Sequence, residues 1–478
     1  MYRRELSMEK TKIRPSFGYA MITMGALVLF VVLALLVFQI PIIITLFFSW
    51  ILLTPFAVKL GYSIADVEET IYEMIKSSAS MFALLLSIGC MVAIWLCAGT
   101  VPTLIYWGLN LVTPKMFLCL AFLFCAVLSI PTGTSWGTMS TAGIAMLGVG
   151  MGLGINPAMV VGAIVAGSHV GDALSPASDT PLLTASSCNV PLMEHLKHNL
   201  KLILPAVGIS AVLYGVFGFV FIDNVMDHTT LNMISTDLKN TMNLGVITLI
   251  PLVVVIALLV MKQSALTAIL AGSVVGMVIA VAYQGFSISE VGNFMSTGFV
   301  IQTGNEYLDP ILNRGGVSSM LELLSMIIAS LGMGGILKGT QILDVIVESF
   351  SKVISTRFGL TTASAVGCVL CLAVVSTNYF SIILNSTLMT PLYKKLGYRP
   401  ENASRIVNNL SCLLSPFVPW GLAGVFVAAT FDINVVSIIP YAFFNIVASV
   451  LCLVYGYTGF TMTKYTPEEW KQMENTAQ

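Results

Sequence analysis

Long apolar runs separated by short polar segments dominate the pattern of hydrophobic and polar positions along the chain. A helix needs roughly 20 apolar residues to cross the hydrocarbon core of a bilayer. Two apolar regions, near 138–190 and 380–431, are interrupted by polar clusters. Other runs approach the required length without interruption: about 17–38, 40–58, 80–98, 115–131, 202–222, 244–261, 264–283, 320–338, 360–376 and 436–457. The pattern predicts an all-α polytopic membrane protein with about 11–13 membrane segments, some of them broken.

The polar interruptions occur twice in the same order. "IPTGTSWGT" at 130–138 is followed by "GDALSPASDT" at 171–180, and "VVSTNYFSIILNST" at 374–387 is followed, after a similar gap, by "SCLLSPFVPW" at 411–420. The two Leu-Ser-Pro triplets in these segments lie 240 residues apart. Such self-similarity indicates an internal repeat. Each half of the chain is predicted to contain a polar break, a helix, and a helix that is broken at Leu-Ser-Pro.

The basic residues predict which ends of the membrane segments face the cytoplasm, because cytoplasmic loops carry an excess of Lys and Arg. The loop at 223–243 holds Asp223, Asp227 and Asp237 but a single lysine, Lys239, and is predicted to be external. The groups predicted to be cytoplasmic are Arg3, Arg4, Lys10, Lys12 and Arg14, then Lys197 and Lys201, then Lys394, Lys395, Arg399 and Arg405, and the tail from Lys464. Both termini are therefore expected in the cytoplasm.

These orientations make the two Leu-Ser-Pro segments run in opposite directions. The first ends at the cytoplasmic loop near Lys197, and the second begins at the cytoplasmic loop near Arg399. Paired broken helices of opposite direction are typical of inverted-repeat secondary transporters. The predicted order is a cytoplasmic tail, a first membrane repeat, an external loop, a second membrane repeat and a cytoplasmic tail, at 1–16, 17–222, 223–243, 244–460 and 461–478.

Composition supports a membrane protein and excludes other classes. Hydrophobic residues make up 57% of the chain and charged residues only 9%, whereas soluble domains carry about 25% charged residues. The net charge of −1 gives no indication of a nucleic-acid partner. The sequence has no nucleotide-binding loop, zinc-protease signature or Ser/His/Asp spacing. We therefore predict no enzyme and no cofactor, and expect lipid and transported solutes as partners.

The polar breaks are predicted to build an ion site. A helix can break at membrane depth only where protein or a water-filled cavity satisfies its backbone, and the freed carbonyl groups attract a cation. Hydroxyl and amide oxygens add hard ligands for sodium: Thr134, Ser135 and Thr138 at the first break, and Asn378, Ser381 and Asn385 at the second. For any single hydroxyl, helix–helix packing is the alternative, but the two clusters together favour a site.

Three ionisable residues, His169, Asp172 and Asp179, lie close together in "AGSHVGDALSPASDT". Each charge at the bilayer centre costs about 2.5–3.5 kcal/mol, so such groups are functional candidates. Asp172 is our first choice for a carboxylate that binds either sodium or a proton, and Asp179 is the second. The alternative for Asp179 is capping of a half-helix that opens near Pro181. The alternative for His169 is a buried structural role.

The segment "GFVIQTGNEYLDPILNRGGVSSM" at 298–320 is a further polar intrusion, with Glu306, Asp309 and Arg314. Two interpretations remain open from the sequence. It is either a re-entrant hairpin, or an external loop whose acidic and basic side chains pair with each other.

Four motifs resemble those of the NhaC-type sodium/proton antiporters, a family that includes sodium–lactate/malate–proton exchangers. They are "GTSWGT" at 133–138, "GDALSPASDT" at 171–180, "LNRGGVSSM" at 312–320 and "LLSPFVPW" at 413–420. The resemblance covers most of the chain. It implies an ion-transporter-superfamily fold with two inverted repeats, a mobile transport part that holds the broken helices, and a scaffold that often forms a homodimer. The implied ion site comprises Thr134, Ser135, Asp172, Ser175, Asp179 and Thr180.

The chain departs from this family where acidic residues commonly precede the second Leu-Ser-Pro, because "SRIVNNLS" has Asn408 and Asn409 there. An amide oxygen can ligate sodium but carries no proton at neutral pH. Simple sodium/proton exchange is therefore less secure, and an organic substrate is the alternative for the second half-site. The residues proposed to bind that substrate are His169, Asn385, Asn408, Asn409, Ser415 and Trp420.

The sequence therefore predicts a secondary active antiporter of the plasma (inner) membrane that exchanges sodium for protons. Sodium is expected to contact Asp172, Ser135 and Asn378. The alternative is sodium-coupled transport or exchange of a small organic acid of the lactate/malate type, or of an amino acid, through the same fold.

Overall fold

A computed structural model describes residues 12–111, 113–222, 228–305, 308–351 and 354–466, and residue 469. The predictions for Arg3, Arg4, Lys10, Asp223, Asp227 and Glu306 fall outside the described residues. Within them the chain is helical, with no β-strand beyond a single bridge between Tyr398 and Lys464.

The helices before residue 223 are α1 Phe17–Val32, α2 Ile42–Lys59, α3 Ile64–Ser77, α4 Ala79–Cys97, α5 Thr100–Leu111, α6 Pro114–Thr132, α7 Ser135–Thr138, α8 Ile144–Gly152, α9 Pro157–Leu174, α10 Asp179–Ser187 and α11 Leu192–Phe221. The helices after it are α12 His228–Thr241, α13 Ile250–Val260, α14 Ala265–Ala282, α15 Ile288–Thr297, α16 Asp309–Leu312, α17 Val317–Gly339, α18 Ile342–Ser351, α19 Arg357–Val375, α20 Asn378–Lys395, α21 Pro400–Leu413, α22 Leu422–Phe431, α23 Val435–Ile438 and α24 Phe443–Thr458.

The number of membrane segments agrees with the sequence prediction. Nine of the described helices are long and apolar enough to cross a membrane, and three bent helix pairs raise the number to 12 if each pair is one span. The upper value lies within the predicted range of about 11–13. The chain is an all-α polytopic membrane protein.

The first polar break forms the closed end of a helical hairpin, here the first hairpin (114–152). α6 ends where Gly133 is left-handed, with φ of 65°, and Thr134 then caps α7 by accepting a hydrogen bond from the Gly137 N–H at 3.3 Å. Glycine adopts this φ without steric cost, and a Cβ here would lie 2.7 Å from the Ala177 carbonyl carbon. The chain returns through α7, a π-helical turn and α8.

The second hairpin (357–395) repeats this backbone course. α19 ends where Ser376 is left-handed, with φ of 66°, and Thr377 is extended before α20, as Thr134 is before α7. Ser376 adopts this left-handed conformation although it is not a glycine. Its hydroxyl forms a hydrogen bond with the Ser330 hydroxyl at 2.5 Å. The same left-handed and extended pair therefore occurs at corresponding places in the two hairpins, as the predicted repeat requires.

Both Leu-Ser-Pro triplets break a helix, as predicted. In the first broken helix (157–187), α9 stops at Leu174 and α10 starts at Asp179. In the second broken helix (400–431), α21 leads into a 3₁₀ turn, and α22 continues at 45° to the preceding part. The second break lies against the closed end of the second hairpin, where the Trp420 indole N–H donates to the Ala373 carbonyl at 2.7 Å.

The long helix α11 shows that the two hairpins enter the bundle from opposite sides. It has 30 residues, and at about 1.5 Å per residue it is longer than the bilayer core is thick. Near its end, Gly218 packs against the Lys115 backbone at the open end of the first hairpin. Near its start, His195 Nδ1 lies 2.8 Å from the Ser404 hydroxyl, just after the second hairpin. The hairpins therefore point at each other.

Small side chains let the first hairpin pack closely on the first broken helix. Gly171 of α9 faces the Ser129 backbone of α6 so closely that a side chain would overlap it. The Ser129 hydroxyl accepts from the Gly171 N–H at 2.9 Å and lies 3.2 Å from the Gly167 carbonyl oxygen. Small residues and hydroxyl bridges are typical of helix contacts in membranes.

The described part of the segment at 298–320 contains irregular stretches around one short helix, and its Arg314 pairs with a residue outside the segment. It has no helix at 298–305, turns through α16, and enters α17 at Val317. Arg314 pairs with Asp432 at the end of α22, at 3.8 Å, and not with Asp309. The Asp309 carboxylate instead accepts from the Thr303 backbone and hydroxyl. The predicted pairing within the segment is therefore wrong for Arg314 and Asp309.

Candidate functional site

Asp172 lies in the last turn of α9, just before the first break, and is only 6% exposed. Its Oδ1 accepts hydrogen bonds from the Ser135 backbone N–H at 3.2 Å and from the Ser178 hydroxyl at 3.3 Å. Ser135 is the first residue of α7. The carboxylate therefore faces a helix N-terminus, where the aligned peptide dipoles stabilise negative charge.

The residues at the first break form hydrogen bonds with one another around Asp172. The Thr180 hydroxyl donates to the Asp172 carbonyl at 3.0 Å and lies 3.1 Å from the Ser178 hydroxyl. The Ser175 side chain accepts from the Ala177 N–H at 3.1 Å. Ser175 and Thr180 thus replace hydrogen bonds that the interrupted helix loses, as irregular backbone at membrane depth requires.

Asp179 connects the two repeats. It is the first residue of α10, and its Oδ2 accepts a hydrogen bond from the Tyr379 hydroxyl at the start of α20. The residue at the cap position of α10 is Ser178, which makes no capping bond. The Asp179 side chain is thus engaged across the repeats rather than in the capping that the sequence offered as an alternative.

A cavity of about 730 Å³ reaches Asp172 and Asp179. The starts of α7, α10 and α20 contribute Thr134, Ser135, Thr180, Thr377 and Asn378 to its lining. Tyr379 of α20 also lines it. Further polar lining residues come from the ends of helices outside the two hairpins and broken helices: Ser77, Ser78, Ser80, Ser264 and Lys338. Both repeats therefore meet at one open space that is lined by polar and apolar side chains.

Ser135 and Asn378 line the same cavity as Asp172 and have unused ligand capacity. The Ser135 hydroxyl is buried and forms no hydrogen bond among the described residues. The Asn378 side chain likewise forms none there, although it lines the same cavity. Oxygen atoms of carboxylates, hydroxyls and amides are the ligands that hard cations prefer. The donor set of Asp172, Ser135 and Asn378 therefore fits a hard cation such as sodium.

Comparison with known proteins identifies the family. A family model described as the Na+/H+ antiporter family matches residues 2–219 and 182–460, which together cover most of the chain. The chain belongs to the Na+/H+ antiporter family. Members of this family are transporters and not enzymes, as the sequence predicted.

Three relatives match the antiporter over nearly their whole length. The "Malate-2H(+)/Na(+)-lactate antiporter" of Bacillus subtilis is 35% identical over 93% of this chain and 95% of that protein. The "Na(+)/H(+) antiporter NhaC" of Alkalihalophilus pseudofirmus is 29% identical over 96% and 98%, respectively. The "Arginine/ornithine antiporter ArcD" of Halobacterium salinarum is 29% identical over 95% of both chains. The relatives of this chain are thus named for inorganic ions, organic acids and amino acids.

Several residues predicted for the antiporter's site lie behind the cavity wall rather than on it. Thr138 donates to the Thr134 carbonyl at 2.9 Å, and Ser381 lies 2.7 Å from the Ser411 hydroxyl. Asn385 donates to the Ser381 carbonyl at 2.8 Å. Three more predicted site residues also bond to backbone carbonyls away from the cavity lining. Ser415 donates to the Cys412 carbonyl at 2.7 Å, Trp420 donates to the Ala373 carbonyl, and His169 donates to the Val165 carbonyl.

Asn408 and Asn409 are fully buried and also lie away from the cavity lining. Asn408 Oδ1 accepts from the Thr184 hydroxyl at 3.1 Å. Asn409 Nδ2 donates to Asn199 Oδ1 and to the Arg405 carbonyl, each at 2.7 Å. Asn199 in turn donates to the Ala173 carbonyl next to Asp172. In the antiporter these amides link α11 and α21 to the first break.

Sequence reasoning missed Tyr379, Ser178 and Cys412. Tyr379 and Ser178 lie within the quoted polar motifs, but the sequence predicts their neighbours, and not these two residues, as site residues. Cys412 lies 240 residues after Asp172, the same separation as the two Leu-Ser-Pro triplets. Applying that repeat spacing to Asp172 would have identified Cys412, whose Sγ lies 3.8 Å from Asp172 Oδ2.

Proposed function

We propose that this antiporter exchanges sodium for protons, with Asp172 as the carboxylate that binds one ion or the other. The observation that carries the proposal is the position of Asp172. It is buried at a helix break, lines the cavity, and lies beside the Ser135 hydroxyl, which has no hydrogen-bond partner among the described residues. A proton and a sodium ion compete for such a group, because each neutralises the same negative charge. This competition is sufficient for exchange.

The orientation of the cavity supports binding from the cytoplasmic side. Lys338 ends α17, and Ser77 and Ser264 lie at neighbouring helix ends. By the positive-inside rule these ends belong to the same side as Lys12 and Lys197. The Arg314–Asp432 pair lies at the other end of α17. We infer that the cavity at Asp172 opens towards the cytoplasmic side.

A second candidate function is exchange of a small organic acid together with sodium. Two observations favour it: the cavity of about 730 Å³ is far larger than a sodium ion needs, and the Lys338 side chain lines it. Lys338 forms no ion pair with a described residue, and its Nζ lies over the Phe380 ring at 5.4 Å. An unpaired ammonium group suits a carboxylate. The relative named for malate and lactate is consistent with this candidate.

Transport into liposomes separates the two functions. Purified protein is reconstituted with an acidic interior and a pH-sensitive dye, and sodium is added outside, first alone and then with lactate, malate or amino acids inside or outside. Collapse of the pH gradient by sodium alone supports sodium/proton exchange. A response that requires one organic solute supports the second candidate. No response to any combination would contradict both.

A further inference from the structure

Three potential metal ligands meet beside the cavity. The ligand atoms of His169, Asp172 and Cys412 all lie within 4.8 Å of one another. The Cys412 Sγ is 3.8 Å from Asp172 Oδ2. Ligand atoms of a tetrahedral zinc site, with bonds of about 2.0–2.3 Å, lie roughly 3.3–3.8 Å apart. One edge of the cluster therefore already has the separation that a bound zinc ion imposes, and small side-chain shifts would close the others.

His169 is held in the form that binds metals. Its Nδ1 lies 2.7 Å from the Val165 carbonyl oxygen, so Nδ1 carries the proton and donates it. The lone pair of a neutral imidazole then lies on Nε2, which is free of this bond. Metal-ligating histidines nearly always donate their other ring N–H to a carbonyl or carboxylate in this way. Val165 therefore fixes both the tautomer and the orientation of the ring.

The chemistry of the three side chains differs from that expected for sodium. Imidazole and thiolate are soft or borderline ligands that select zinc-like metals, whereas sodium prefers oxygen atoms. We propose that His169, Asp172 and Cys412 form a binding site for a soft divalent cation, Zn²⁺ or Cd²⁺. On binding, the metal–sulfur bond replaces the S–H bond of Cys412, and the proton leaves to water in the cavity.

Charge balance supports the assignment. A divalent cation with one carboxylate, one thiolate and a neutral imidazole forms a complex with no net charge. All three side chains are buried: His169 is 1% exposed, Asp172 is 6% exposed and Cys412 is 1% exposed. A neutral complex avoids most of the penalty for burying unbalanced charge. The ion would enter along the cavity, because Asp172 lines it.

Metal binding would also lock the two repeats together. His169 and Asp172 lie on α9, and Cys412 lies on α21, so one ion would bridge the two broken helices. It would occupy the carboxylate that sodium and protons are proposed to share. Inhibition of transport is the consequence, and this consequence alone rests on the proposed function. Binding itself does not.

The test is direct Cd²⁺ binding to the purified full-length protein in detergent, measured by equilibrium dialysis together with the ultraviolet thiolate-to-cadmium charge-transfer band. We expect one bound ion and a charge-transfer band in the wild type. Cys412→Ser should remove the band and weaken binding at least about tenfold. Cys452→Ser, which removes an equally buried thiol outside the cluster, should leave both unchanged.

His169→Gln provides a second and independent variant. It should weaken Cd²⁺ binding about tenfold while the charge-transfer band of Cys412 remains at saturating metal. Wild-type affinity in both the Cys412 and His169 variants, or loss of the band in Cys452→Ser, would overturn the proposed site. Because no sodium gradient is used, the result does not depend on whether sodium/proton exchange is the protein's activity.

Discussion

At the scale of single residues, Asp172 differs from the other buried polar groups by the partners that surround it. Its Oδ1 accepts hydrogen bonds from a backbone N–H and a hydroxyl, while the Ser135 Oγ beside it has no partner in the part of the chain that the structure describes. The sequence could predict Asp172, because a carboxylate inside a broken membrane helix is costly without a function. It could not predict Tyr379 as the partner of Asp179, because that contact depends on how two distant half-helices meet.

The first residue-scale prediction concerns the shared carboxylate. Asp172→Asn keeps the shape of the side chain but carries no negative charge, so it should abolish sodium-dependent transport in liposomes. Asp237→Asn, outside the proposed site, is the control and should retain transport. Sodium-dependent transport at the wild-type rate in Asp172→Asn would remove Asp172 from the mechanism.

The second residue-scale prediction concerns the contact between the repeats. Tyr379→Phe removes the hydroxyl that donates to Asp179, and a hydrogen bond to a charged group contributes about 1.5–3 kcal/mol. We expect a change of about tenfold or more in the sodium concentration that gives half-maximal transport. Tyr72→Phe, at an exposed position of α3, should not change it. Equal sodium dependence in both variants would leave Asp179 without a role in ion binding.

At the scale of helices, the two hairpins and two broken helices were the most predictable features. The polar breaks and the Leu-Ser-Pro triplets marked the interruptions, because Gly, Ser and Pro favour breaks that apolar runs do not tolerate. What the sequence could not predict was that Asn408 and Asn409 support α11 and the first break. From the sequence alone, an amide side chain can equally ligate an ion or form a hydrogen bond between helices.

The element-scale prediction tests the closed end of the first hairpin. Gly133→Ala places a Cβ on a left-handed residue and 2.7 Å from the Ala177 carbonyl carbon. Such strain costs about 1–3 kcal/mol, so we expect a lower thermal unfolding midpoint in detergent and weaker transport. Gly25→Ala, in open space on α1, is the control and should not lower the midpoint, because alanine is the better helix former. Equal midpoints for the two variants would contradict the described turn.

At the scale of the whole molecule, two inverted repeats meet at one cavity. Asp172 approaches Cys412, and Asp179 approaches Tyr379, so each contact joins one repeat to the other. The opposed directions could be predicted from the positions of Lys and Arg. The cavity could not, because part of its wall comes from helix ends outside the hairpins and broken helices. Lys338 in particular has no sequence motif that would assign it to the site.

The whole-molecule prediction therefore concerns Lys338. If the cavity binds an organic acid, Lys338→Gln should lower the affinity for that acid about tenfold, since a charged hydrogen-bond donor is lost. Sodium binding should change little. The control is Lys262→Gln, because Lys262 lies between α13 and α14 and does not line the cavity. Unchanged affinity for every acid that is transported would exclude Lys338 as the carboxylate partner.

Sodium-induced proton release tests the central claim most directly. Purified protein is placed in weakly buffered detergent solution with a pH-sensitive dye, and sodium is added with potassium as the control ion. The account predicts release of about one proton per protein molecule, because sodium displaces the proton from a single carboxylate. Asp172→Asn should release none. Sodium binding without proton release, or equal release from the wild type and Asp172→Asn, would contradict the claim that sodium and protons share Asp172.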